Sequence, residues 1–306
     1  MITFTKKSMI TALDQLLAVC NYPQKAAIVW PTDAGIFKAV KPFIEAKQII
    51  PVFCGNKPEI ENLCHAYGLK PLQYTVIHSN DQVIAAHDAV VMAENHEVGI
   101  LMKGMVSTSI FVKAILHSTL LENILTHITI FKHPLQPKLV ALSDAAINIA
   151  PDIETKVAII NNAVDLMKKL GYGHPKVAMV CPVEKPNPKI ASTQDALILK
   201  DMNLKGEIKN CMVDGPFALD NALSAAASEM KNIKSEVAGN ADVLVVHNLD
   251  AGNILYKSIG VIAGQPVAAV VAGAKVPIVL TSRADNEITR YYSLLLALHL
   301  TSANKA

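Results

Sequence analysis

Only two of the 28 Lys and Arg residues in this chain are Arg: Arg283 and Arg290. Arg283 stands in Thr281-Ser282-Arg283-Ala284-Asp285, directly after the apolar run 276–280. Arg290 follows on the segment that reads as the next helix. A guanidinium is a rigid, permanently charged fork that engages two oxygens of a phosphate or carboxylate at once, and an ammonium cannot reproduce it. Anion chemistry is therefore the first expectation for residues 281–290. A structural reading competes with it, because Ser282-x-x-Asp285 has capping-box character. A cap does not need a guanidinium; an anion site does.

Three further junctions concentrate polar groups where a β-branched run gives way to a helical pattern. Lys103-Gly104-Met105-Val106-Ser107-Thr108-Ser109 offers an ammonium, a permissive Gly and three hydroxyls at a helix start. That suits a phosphate, although it is not the G-x-x-x-x-G-K-[ST] P-loop, and plain capping by Ser or Thr would also explain it. In Asp214-Gly215-Pro216-Phe217-Ala218-Leu219-Asp220 the Gly-Pro pair reads as a turn and Asp220 as a helix cap. His247-Asn248-Leu249-Asp250-Ala251-Gly252-Asn253 packs a carboxylate, two amides and a Gly into one strand-end loop, with Asn253 placed to cap the helix that follows. Such a loop suits a ribose, an amide or a phosphate, or is simply a well-made turn. In α/β sheets ligands gather outside the carboxyl ends of strands, where helix N-termini attract anions.

Other signatures are missing. There is no G-x-S-x-G, H-E-x-x-H or G-x-G-x-x-G, and the ten histidines show no ligand spacing. The five cysteines form no C-x-x-C, so neither a metal site nor a disulfide framework is expected. Reduced thiols fit a cytoplasmic protein. Net charge is +2 with both signs interspersed and no basic tail, so nucleic acid is not expected as a partner.

The elements that must position these residues follow from the pattern. Hydrophobic residues make up 51% and aromatics 5%, so the core is built from Ala, Val, Ile and Leu, as in layered α/β proteins. Strands are expected at 26–30, 49–53, 74–78, 98–102, 128–132, 139–142, 176–180, 207–213, 241–246, 266–272 and 276–281. Helices are expected at 8–19, 35–45, 58–67, 81–94, 109–116, 153–170, 190–201, 220–229, 253–263 and 287–300. This alternation predicts mostly parallel sheets covered by helices on both faces. The apolar stretch 261–280 contains Gln265, Pro266, Lys275 and Pro277, which argues for strands and a turn rather than a membrane span. The two prolines within 133–138 mark a break. The expected domains are 1–138 with 273–306, and 139–272, with a cleft between them.

Taken in order, the four junctions resemble the phosphate acetyl/butyryl transferase family. The resemblance rests on Leu101-Met102-Lys103-Gly104-Met105-Val106-Ser107-Thr108, Asp214 to Ala222, Asp250-Ala251-Gly252-Asn253-Ile254-Leu255-Tyr256-Lys257, and Pro277 to Asp285. Ser-Arg-Ala-Asp and the compact length look closer to the butyryl than to the acetyl branch. The resemblance implies two three-layer α/β domains of the isocitrate/isopropylmalate dehydrogenase type. It also implies the reversible reaction of acyl-CoA with phosphate, without a metal or a permanently bound cofactor, in a homodimer or larger homo-oligomer.

The resemblance also distributes roles. Arg283 holds the phosphate, Ser282 hydrogen-bonds the sulfur of coenzyme A, and Asp285 is a base or an orienter of Arg283. Lys103, Gly104, Ser107 and Thr108 form the phosphate cradle, and Asp144, Asp250, Gly252 and Asn253 complete the substrate site. Thr289 stands where the acetyl branch has a catalytic Asp. The base therefore falls to Asp285, Glu287 or a carboxylate such as Asp144. Two other readings compete: a dehydrogenase of the related fold, and a non-catalytic CoA- or phosphate-binding protein.

Overall fold

The computed structural model describes residues 13, 23–282 and 285–303. Leu13 apart, the helix expected at 8–19 lies outside the described residues. The strands are β1 (Gln24–Val29), β2 (Ile49–Gly55), β3 (Thr75–His78), β4 (Ile100–Lys103), β5 (Leu121–Lys132), β6 (Leu139–Ser143), β7 (Lys176–Val180), β8 (Met212–Phe217), β9 (Val243–Val245), β10 (Val267–Ala274) and β11 (Ile278–Val279). The helices are α1 (Ala34–Glu45), α2 (Lys57–Ala66), α3 (Gln82–Glu94), α4 (Thr108–Leu116), α5 (Ile153–Lys169), α6 (Ala191–Leu204), α7 (Leu219–Leu223), α8 (Ala225–Met230), α9 (Leu249–Lys257) and α10 (Glu287–Ala303).

Two compact units divide the chain: Leu17–Asn123 with Ala268–Ala306, and Met1–Leu16 with Ile124–Val267. In the first unit the strand order is β3-β2-β1-β4-β11-β10. All pairs up to β11 are parallel, and β10 meets β11 antiparallel at Val271↔Ile278. β1 buries Ala26, Ala27, Ile28 and Val29 completely, because helices cover both of its faces. The chain winds outward from β1 to β3 and then returns to β4 on the other side of β1. Right-handed crossovers then put α1 and α2 on one face and α3 on the other. β1 and β4 thus flank the switch point, where connections leave to opposite faces and open a crevice.

The second unit orders its strands β5-β6-β9-β7-β8, parallel from β6 onward, with β5 and β6 an antiparallel pair. β9 returns to lie between β6 and β7. Its side chains alternate: Leu244 and Val246 face a core shared with Tyr256 of α9 and Ala222 of α7, while Val243 and Val245 point to the other face.

Several local expectations shift. Residues 133–138, expected as a break, form the turn between β5 and β6, closed by His133 N donating to Lys138 O at 2.8 Å. Gly215-Pro216, expected as a turn, lies inside β8 rather than after a strand at 207–213. β8 ends the order of its sheet, and an edge strand tolerates a residue without an N–H. The helix expected at 220–229 is two short ones divided at Ser224, which caps α8 by accepting from Ala227 N at 3.2 Å. The stretch 261–280 does resolve into two strands and a turn, and among the described residues no helix is long and apolar enough to cross a membrane.

Candidate functional site

At the carboxyl edge of the first unit, β4 lies between β1 and β11, paired Val29↔Lys103 and Met102↔Val279. The segments 30–33, 104–107 and 280–282 therefore leave neighbouring strand ends. This brings Lys103, Gly104, Ser107 and Thr108 beside the turn that carries Ser282 and Asp285.

The Lys103 side chain is buried, and its ammonium donates to Gly104 O at 3.0 Å and Val106 O at 3.3 Å. It holds the loop and leaves its charge beneath it. Gly104 N donates to Val29 O and Met105 N to Trp30 O, each at 2.8 Å. A Cβ on Gly104 would run into Val29 O and Trp30 O, so close backbone packing requires this Gly. Ser107 caps α4 by accepting from Ile110 N at 3.2 Å, and Thr108 opens the helix, exposed. The first turn of α4 thus presents hydroxyls at the positive end of a helix dipole, next to a buried cation.

Ser282 N donates to Asp285 Oδ2 at 2.7 Å, and Asp285 N to Ser282 O at 3.1 Å. The backbone half of the capping box is present. The acceptor that starts α10 is Asn286, whose Oδ1 receives Thr289 N at 2.8 Å. Arg283, the residue expected to hold phosphate, lies outside the described residues. Arg290 is buried and paired with Asp33, the cap of α1, so it has the structural role. Thr289 is buried as well.

The carboxyl edge of the second unit carries the remaining candidates. Asp144 is buried and accepts from four donors: Ala146 N, Ile147 N, Asn148 N and Asn148 Nδ2, at 2.6–3.2 Å. Its carboxylate organises the loop after β6. Gly252 packs so closely on this loop that a Cβ would overlap Asp144 O. Asn253 does not cap a helix. It sits inside α9 and donates from Nδ2 to Ala145 O at 3.2 Å, while Asn248 is the cap, accepting from Ala251 N at 3.1 Å. Asp220 does not cap either; it lies in the first turn of α7 after Ala218. Asp250 is exposed in the first turn of α9.

One cluster was missed by linear reading. Lys156 on α5, Asp195 on α6 and His247 just beyond β9 meet at this edge. They are far apart in the chain, and no spacing rule connects them. Burial and the Lys156 charge hold the His247 imidazole below its ordinary range, against an opposing pull from Asp195. Burial raises the Cys54 thiol to about 12 and the Cys64 and Cys211 thiols to about 11, so none of these is a ready nucleophile. Among the described residues no group of His, Cys, Asp or Glu is arranged to hold a metal ion.

Residues 57–298 match the family described as phosphate acetyl/butaryl transferase. The chain belongs to this family. It is 38% identical over 275 residues to a probable phosphate butyryltransferase of Bacillus subtilis (strain 168), covering 89% of this chain and 91% of the relative. It is 35% identical to a phosphate acetyltransferase of Thermotoga maritima, covering 90% and 94%. A crystal structure of a branched-chain phosphotransacylase from Enterococcus faecalis V583 superposes with a TM-score of 0.80 at 30% identity, covering 91% of this chain and 99% of that one. Membership makes the chain an acyltransferase and favours the phosphate acyltransferase reading over a dehydrogenase of related fold or an inert binding protein.

Proposed function

We propose that the chain catalyses the reversible transfer of a short acyl group, acetyl or butyryl, between coenzyme A and inorganic phosphate. The observation that carries this reading is the pairing of β4 with β11, which sets the Lys103–Thr108 loop and the Ser282–Asp285 turn on adjacent strand ends. A phosphoryl group there would meet the α4 N-terminus and the Ser107–Ser109 hydroxyls.

Arg283 holds the phosphate and the charge that develops on it. Ser282 hydrogen-bonds the sulfur of coenzyme A, and Asp285 fixes the backbone between them through Ser282 N. Lys103 acts beneath the loop, by field and by holding Gly104 and Val106, rather than by touching phosphate. Asp144, Gly252 and Asn253 shape the junction at which Asp250 is presented to coenzyme A. Catalysis comes from orienting two substrates, without a covalent enzyme intermediate. The reaction is read as cytoplasmic and carried by a homodimer or larger homo-oligomer.

The test is thiol release from acetyl-, propionyl- and butyryl-CoA with and without phosphate. Phosphate-dependent release with at least one is expected, and none with any of the three removes the proposal. The ranking of rates sets the acyl preference.

A further inference from the structure

We propose that the cavity between α3 and α4 binds a free aliphatic monocarboxylate, with the chain inside and the carboxylate on Lys113. The site lies wholly within the first unit and shares no residue with the phosphate cradle. It stands whether or not the chain transfers acyl groups.

Helical spacing builds the walls. Val83, His87 and Val90 fall on one stripe of α3, and Ile110, Lys113 and Ala114 on one stripe of α4. The space between them measures about 350 Å³, within the range that small-molecule sites occupy. Thr119 ties the ends of the two helices together. Its N donates to Glu94 Oε1 at 2.6 Å, and its hydroxyl donates to the same oxygen at 2.8 Å.

Four of the six wall residues are Val, Ile or Ala. Such walls offer water few partners, so hydrocarbon placed against them leaves water favourably. Val90 is 2% exposed and forms the floor, whereas Val83 is 59% exposed and stands at the mouth. Ile84 and Leu116 are exposed on the same two helices, which concentrates apolar surface here. From the level of Val83 to that of Val90 the α3 wall runs about 10 Å, which suits a chain of about six to eight carbons.

Charge selects the headgroup. The Lys113 side chain is exposed, and its ammonium pairs with no carboxylate among the described residues. Its methylene stem can lie along the apolar wall while the charge stays at the mouth. Glu94, the acid of the lining, is already engaged by Thr119, and those two hydrogen bonds hold its carboxyl below the usual range. An ionised Glu94 repels a carboxylate from its own end of the cavity and favours the Lys113 side. Ser118 spends its hydroxyl proton on Ile115 O at 2.7 Å. A neutral head would leave Lys113 unmatched, and a cationic head would be repelled by it.

The experiment is isothermal titration calorimetry of the full chain with butanoate, hexanoate, octanoate and octylammonium. Two temperatures are used, because burial of an apolar chain changes the heat capacity and cannot be silent at both. Affinity for the carboxylates should rise about fourfold for each added methylene. Octylammonium should bind about tenfold more weakly than octanoate, and Lys113→Gln should remove that difference by weakening octanoate. Val83→Glu sets a carboxylate at the mouth and should weaken octanoate by about tenfold. Both substitutions are at exposed positions, so unfolding midpoints should match wild type.

Affinity that is flat with chain length overturns the proposal, as does octylammonium binding as tightly as octanoate. Octanoate binding left unchanged by either variant places the ligand elsewhere and overturns it too. A wild-type chain that binds no octanoate also overturns it. If sedimentation then shows self-association that Val83→Glu abolishes, a second copy of the chain covers the cavity instead.

Discussion

The guanidinium of Arg290, on α10, reaches the carboxylate of Asp33 at the start of α1, and the missing side chain of Gly35 makes room for it. Asp33 Oδ1 also accepts from Gly35 N at 3.0 Å. A single carboxylate thus caps one helix and anchors another. Arg290→Met should lower unfolding stability by about 2 kcal/mol, less than for a fully buried pair because Asp33 is partly exposed. Gly35→Ala should cost about 1–3 kcal/mol in the wild-type background, since a Cβ meets the guanidinium. With Arg290→Met already present, the same change should be neutral or slightly stabilising. Denaturant midpoints of the four proteins in this cycle check the sign change, and additive costs would contradict it.

Arg283 is expected to separate from Arg290 completely. Arg283→Lys should reduce phosphate-dependent thiol release by about 2–4 kcal/mol of transition-state stabilisation, on the order of a hundredfold or more. Its unfolding midpoint should match wild type. Unchanged turnover would falsify the phosphate role. A large drop in midpoint would assign Arg283 to the scaffold.

The loop after β6 and the start of α9 should behave as one piece. Gly252→Ala forces a Cβ onto the backbone of Asp144 and Ala145, neither of which can move aside as a side chain would. The expected cost is about 1–3 kcal/mol or more. Asp250→Asn, on the exposed first turn of α9, should leave the midpoint within about 0.5 kcal/mol and change only the Michaelis constant for coenzyme A. Equal effects of the two on stability would argue against the division.

Much of the fold was legible because its strands and helices carry their own periods. The run 26–30 is apolar on both faces and reads as a doubly covered strand, and β1 is one. Gly215-Pro216 misled because turn chemistry and edge-strand tolerance share the same dipeptide, and only the sheet order tells them apart. At the site, Gly104 reads as a permissive glycine of a phosphate cradle and Gly252 as part of a substrate loop. Their decisive contacts are with the backbones of Trp30 and Asp144, which no local pattern contains. Asn253 reads as a cap as readily as Asn248 does, because either amide can start a helix. Lys156, Asp195 and His247 were invisible for a simpler reason: the crossover from β6 through α5 and α6 brings them together, and linear spacing does not record it.

His133 supplies a test of stability against pH. Its Nδ1 accepts from Leu135 N and Gln136 N, each at 3.0 Å, and so must remain unprotonated. Burial, helped by nearby Lys138 and opposed by Asp242, lowers its pKa from the ordinary 6.5 to about 4. The unfolded chain binds a proton near 6.5 and the folded chain only near 4. The His133 contribution is therefore fully present above about 6.5, falls as the pH drops, and is gone below about 4. The difference amounts to about 3 kcal/mol. His133→Asn keeps an acceptor for the two amides and removes the titration. Subtracting its stability profile from that of wild type should leave a slope confined to the range between about 4 and about 6.5. Parallel profiles would show that the ring is not held neutral by the fold.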